Sequence, residues 1–156
     1  MRSLQQLLDT YGESHINKTN KAIHWICVPA IFFSIVGFFY AIPIGNLDKT
    51  IWFNVGSVAM ILVLIYYFVL SKPMSMGFIL WGLICLWGNS QIYKIVGSNG
   101  KLALVSLVIF AVAWVFQFIG HKIEGKKPSF LEDIQFLLIG PAWLMSFIYK
   151  KLGIRY

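Results

Sequence analysis

The chain has 156 residues, 58% of them hydrophobic and only 12% charged, with a formal charge of +7. Soluble domains carry roughly twice that charged fraction, at about 25%. With a mean hydropathy of +0.74, the composition excludes an ordinary water-soluble globule, a disordered chain and a disulfide scaffold. It leaves a small integral membrane protein. The basic residues sit at the ends of apolar runs and not along one face, which argues against nucleic acid and for loops beside anionic headgroups. Cys27 and Cys85 both lie inside apolar runs and read as small apolar residues.

Taken in chain order, Leu4, Leu7, Leu8 and Tyr11 recur at helical spacing behind Ser3, a residue suited to capping. They predict a short amphipathic helix lying on the membrane surface. A polar stretch, Gly12 to Asn20, follows. Stretches free of Asp, Glu, Lys and Arg then cover 22–47, 50–71, 73–93, 102–121 and 134–149. A helix needs about 20 residues to cross roughly 30 Å of hydrocarbon. The first four runs qualify, with spans at about 23–42, 51–70, 74–93 and 102–120. The fifth, at about 134–149, would reach only about 24 Å and contains Gly140-Pro141, which kinks or breaks a helix. It is expected to be re-entrant or interfacial, with a thin fifth span as the alternative.

Four spans place ten basic residues on the side of the N-terminus and three (Lys49, Lys94, Lys101) on the other, whereas five spans leave no bias. The positive-inside rule therefore favours four spans, with both termini cytoplasmic. Short connections imply an antiparallel four-helix bundle. The expected fold is all-α, a single membrane domain over residues 1–156 with an N-terminal amphipathic helix and a C-terminal re-entrant or interfacial segment.

All three histidines fall at one membrane face. His15 lies in the polar linker, His24 at the start of the first span and His121 at the end of the fourth. An even number of crossings returns the chain to its starting side. His15 and His24 are nine residues apart, about 900° on one straight helix and so on opposite faces. They share a partner only if the chain turns between them, for which Asn17 to Asn20 is the expected place. Glu124 follows His121 at i+3, on the same helical face. Each histidine alone can be a headgroup contact or a packing residue. Three converging beside a membrane point toward metal ligation, because histidine there is costly. Trp25, Trp52, Trp81, Trp87, Trp114 and Trp143 read as interfacial belt and bundle packing.

Two motifs frame these histidines. Tyr11-x3-His15-x4-Asn20-x3-His24-x2-Cys27-x-Pro29 opens the membrane region. Trp114-x2-Gln117-Phe118-x-Gly120-His121-x2-Glu124-Gly125-x2-Pro128 closes the fourth span, and Pro141 follows. Together they resemble a family of small multispanning membrane proteins whose characterised yeast member is a 2-hydroxy fatty acid dioxygenase of phytosphingosine degradation. Cys27 stands where that family often has glycine.

The resemblance implies an iron(II)-dependent dioxygenase that shortens a long-chain 2-hydroxy fatty acid by one carbon, using dioxygen. His15, His24 and His121 match the motif histidines and would be the metal ligands. Six-coordinate iron held by three imidazoles keeps room for a 2-hydroxy carboxylate and dioxygen. Glu124 could replace an imidazole or support one, Asn20 and Gln117 could orient imidazole protons, and Tyr11 belongs to the same motif. Lys122, Lys126 and Lys127 could attract the substrate carboxylate while the acyl chain lies among apolar helices. Zinc is the rival metal, and a zinc-dependent membrane hydrolase the rival enzyme. A non-catalytic membrane scaffold or lipid-binding protein is the alternative of a different class.

Overall fold

A computed structural model describes residues 2–45, 50–128 and 135–156. Among them the chain is all-α, with six helices: α1 (Leu4–Gly12), α2 (Lys18–Ala41), α3 (Val55–Leu70), α4 (Lys72–Val96), α5 (Asn99–Glu124) and α6 (Phe136–Leu152). They form two compact units, one of Met1–Ala30 with Val112–Tyr156 and one of Ile31–Ala111. Each unit takes part of α2 and part of α5.

In the first unit, α1 begins at a capping box. The Ser3 hydroxyl accepts from the Gln6 amide at 3.3 Å, and the Gln6 side chain accepts from the Ser3 amide at 2.8 Å. Two orphan amides are satisfied reciprocally. The predicted amphipathic helix is present, but its apolar stripe faces protein and not lipid: Leu4, Leu7, Leu8 and Tyr11 are buried, and α1 packs on α6. The reason lies in α6, whose Gly140 leaves room for the Tyr11 ring; a methyl there would meet Tyr11 Oη at 2.9 Å. Nor does Gly140-Pro141 break α6, which runs unbroken from Phe136 to Leu152. Pro141 is the sixth residue of α6, so its missing amide removes one backbone bond, the one to the Leu137 carbonyl, and the helix continues on either side. Residue 134, where the fifth apolar run begins, lies outside the described residues, as does Lys49.

In the second unit, Ser71 alone joins α3 to α4. Its amide donates to the Tyr67 carbonyl at 2.7 Å, closing α3, and its hydroxyl accepts from the Met74 amide at 3.3 Å, opening α4. The chain doubles back: Tyr67 stacks on Phe78 at 3.7 Å, and Gly82 faces the Met60 side chain. The predicted span from residue 51 starts later, at Val55. Thr50 and Asn54 explain the difference. Their side chains bond the backbone of residues 50–54 and cap Ser57, an arrangement that competes with helix. Farther along, Asn89 donates to the Phe33 and Cys85 carbonyls at 3.1 and 2.9 Å.

Two helices, α2 and α5, are long and apolar enough to cross a membrane. Much of what the other helices expose is also apolar, including Ile61, Leu62 and Ile65 on α3 and Leu80, Leu83 and Ile84 on α4.

Candidate metal centre

The centre lies wholly within the first unit and is assembled from the α1–α2 linker, the start of α2 and the end of α5. After α1, the Glu13 amide donates to the Asp9 and Thr10 carbonyls, and the His15 amide to Gly12 at 3.0 Å. The chain therefore reverses over residues 13–17, earlier than the turn expected at Asn17 to Asn20. Asn17 opens α2, its Oδ1 accepting from the Thr19 amide at 2.8 Å. Amide-capping by Asn is a strong helix-start signal, and it places Asn20 inside the helix, one turn before His24.

The reversal brings the three histidines together. His15, His24 and His121 are 1%, 1% and 6% exposed, and their ligating atoms lie within 4.8 Å of one another. The His15 and His24 rings are 4.3 Å apart and nearly perpendicular; His121 sits 4.9 and 5.0 Å from the two, edge-on to both.

The backbone fixes the protonation of two of these rings. His15 Nδ1 lies 2.6 Å from the Tyr11 carbonyl, and His24 Nδ1 lies 2.9 Å from the Asn20 carbonyl. A carbonyl only accepts, so each Nδ1 must carry the proton. Each neutral ring then presents a bare lone pair at Nε2, and these two atoms are 2.9 Å apart. Facing lone pairs repel unless a cation or proton lies between them. Burial, then the neighbouring His24, pushes the His15 pKa down to about 3, so a shared proton is disfavoured near neutrality. A metal ion resolves the conflict, since cis nitrogens on one ion with bonds near 2.1 Å are about 3 Å apart. His121 adds a buried Nδ1 with no hydrogen-bond partner among the described residues. The donor set thus fits a divalent metal, with second partners that are backbone carbonyls.

The remaining sequence candidates divide by what they touch. Tyr11 stacks on His15 at 4.1 Å with planes 12° apart, and burial raises its hydroxyl pKa, keeping it neutral. Glu124 points at the linker. Its Oε1 accepts from the Ile16 amide at 2.9 Å, and its Oε2 from the Asn17 amide at 2.9 Å and Asn20 Nδ2 at 3.0 Å. Asn20 is fully buried and orients His24 through its backbone carbonyl, not its side chain. Gln117 is buried and makes no hydrogen bond to the imidazoles. Lys122 and Lys127 are exposed, while Lys126 donates to the Glu13 carbonyl at 2.8 Å.

Two contributors carried no sequence signal for this site. Trp143, read as belt or packing, is buried with its ring 5.2 Å from His15 and 5.4 Å from Tyr11. Gly120 was quoted only as part of a motif. A methyl on it would collide with Asn20 Oδ1, so glycine is what lets α5 approach α2 beside His121.

The family described as 2-hydroxy-palmitic acid dioxygenase Mpo1-like matches residues 1–152. The 2-hydroxy-palmitic acid dioxygenase MPO1 of Saccharomyces cerevisiae is 29% identical over 153 residues, covering 96% of this chain and 82% of the yeast protein. No solved structure matches. The chain belongs to the Mpo1-like family of 2-hydroxy-palmitic acid dioxygenases.

Proposed function

We propose that this protein is an iron(II)-dependent membrane dioxygenase that shortens a long-chain 2-hydroxy fatty acid by one carbon. The observation that carries this reading is the 2.9 Å approach of two imidazole nitrogens, each left as a bare lone pair by a backbone-held Nδ1 proton. Family membership supplies the substrate class. The reaction balances without an external reductant. The C1–C2 bond of the hydroxy acid breaks, C1 leaves as carbon dioxide, and C2 becomes the new carboxyl. Four electrons pass from the substrate to dioxygen: the hydroxy acid and one dioxygen give the shortened acid, carbon dioxide and one water, and the two atoms of dioxygen end up among these three products.

His15, His24 and His121 would hold the metal. Iron(II), when bound, supplies a centre that couples the four-electron oxidation to dioxygen at a position shared with the hydroxy acid. The protein's own groups do the rest. The Tyr11 and Asn20 carbonyls lock the imidazole tautomers, and Tyr11 and Trp143 wall the cluster with apolar ring surface that excludes water. Lys122 and Lys127, both exposed on the chain just after His121, draw in the substrate carboxylate from the interface. The acyl chain stays in the bilayer, which avoids exposing about 0.8 kcal/mol of methylene surface to water per carbon. We assign four spans, carried by α2, α3 (from Val55), α4 and α5, with both termini cytoplasmic. The apolar exposure of α3, α4 and α5 supports this topology.

The test is anaerobic purification, reconstitution with iron(II), and addition of 2-hydroxy-palmitic acid and oxygen. The expected product is the acid one carbon shorter. A protein that retains zinc and shows no turnover when loaded with iron refutes the oxygenase reading.

A further inference from the structure

We propose that Glu124 is a positioning residue that clamps the α1–α2 linker and so sets His15 against the other two histidines. This deepens the metal reading and rests on it. Of the three histidines, His24 and His121 lie on helices and have their backbones fixed by helical hydrogen bonds. His15 lies in a five-residue reversal, where ligand placement depends on whatever holds the loop. The end of α5 holds it on both sides. Lys126 Nζ donates to the Glu13 carbonyl at 2.8 Å, two residues before His15. Glu124 accepts from the Ile16 and Asn17 amides, the two residues after it.

Glu124 also ties the linker to α2. Its Oε2 accepts from Asn20 Nδ2 at 3.0 Å, and that same amide group reaches the Ser14 carbonyl at 3.3 Å. Asn20 in turn holds His24 through its backbone carbonyl. His121 stands one turn before Glu124 on α5. One carboxylate therefore connects all three segments that carry a histidine. Both of its oxygens are committed to N–H donors, so it supports the ligands and is not one of them. Charge-assisted hydrogen bonds of this kind are about twice as strong as neutral ones. The left-handed Gly125, at φ +74°, ends α5 between the two clamping side chains.

Full-length protein in detergent micelles, as wild type, Glu124→Gln and Lys126→Ala, gives the test. Two readouts use metal-free protein: amide exchange at Ile16 and Asn17, and the ring 15N shifts of His15. A third follows Co(II) release to a chelator, with the Co(II) visible spectrum reporting the ligand set. Glu124→Gln is expected to speed exchange at both amides, to let His15 sample both tautomers, and to accelerate Co(II) release about 10- to 100-fold. The spectrum of the bound fraction should keep its form. Lys126→Ala, which removes one bond to a neutral carbonyl, should act in the same direction by about three- to tenfold. It carries the test if Glu124→Gln does not fold. Unchanged exchange and unchanged Co(II) release in both variants overturn the proposal. So does a changed Co(II) spectrum with both amides still protected, which makes Glu124 a ligand. Wild type that takes up no Co(II) refutes the metal reading instead, and the exchange and His15 shifts then still decide whether Glu124 positions the linker.

Discussion

Gly120→Ala isolates the closeness of α5 to α2 beside the histidines. The added methyl would overlap Asn20 Oδ1 and sit 3.4 Å from Asn20 Cγ and 3.5 Å from Ile23 Cδ1. Asn20 cannot swing aside cheaply. Its Nδ2 is shared between Glu124 and the Ser14 carbonyl, and its own carbonyl holds the His24 Nδ1 proton. Overpacking of this kind typically costs about 1–3 kcal/mol. Alanine regains about 1 kcal/mol of helix propensity over glycine, so the net effect is a loss of up to about 2 kcal/mol. Because the strain falls on Asn20, metal affinity should fall with stability. Gly100→Ala is the control: it lies in the same helix, with nothing within 4 Å of an added methyl. Unfolding in mixed micelles, run with and without Co(II), measures both effects. Gly120→Ala as stable as Gly100→Ala, with wild-type metal affinity, refutes the packing argument.

Other perturbations follow from the same contacts. His15→Ala, His24→Ala and His121→Ala should each lower metal content by at least about tenfold while the protein still inserts into membranes, as judged by metal analysis and carbonate extraction. Tyr11→Phe keeps the ring stacked on His15, so metal affinity should stay within about threefold of wild type by isothermal titration, an offset inside the range of one neutral hydrogen bond. Trp143→Ala opens a cavity against His15 and Tyr11 and should destabilise the fold by about 3–5 kcal/mol in chemical denaturation. Acid should weaken the metal-free fold. Burial and then the neighbouring His24 hold the His15 pKa down to about 3 in the folded protein, against about 6.5 when unfolded, so the unfolded chain binds the extra proton between those values, and stability present above pH 6.5 is lost as the pH falls. Denaturation of metal-free protein at pH 7 and pH 5 checks the sign.

The all-α fold and the convergence of the histidines were legible because each rests on a pattern that chemistry imposes on sequence. Ser3 before the spaced Leu4, Leu7, Leu8 and Tyr11 announced α1, and apolar runs bounded by Lys announced the longer helices. The parity of membrane crossings put His121 level with His24. What was hidden depends on which surface an element meets. The stripe of Leu4, Leu7, Leu8 and Tyr11 looks the same whether it covers lipid or α6; only Gly140, opposite Tyr11, distinguishes the two, and its partner is over a hundred residues away. Side-chain to backbone bonds leave no periodicity either. Thr50 and Asn54 therefore delayed α3 unannounced, and Glu124 is bound by the backbone amides of Ile16 and Asn17, which no side-chain pattern marks. Pro141 misled because a proline removes one backbone bond without having to end a helix, as Pro29 within the unbroken α2 also shows.

X-ray absorption at the iron edge of the iron(II)-loaded protein tests the central claim most directly. Three imidazole nitrogens should appear in the scattering of the wild type and two in His15→Ala, with bound metal near one ion per chain before the substitution. Scattering without imidazole, or a spectrum unmoved by replacing any of the three histidines, contradicts the account.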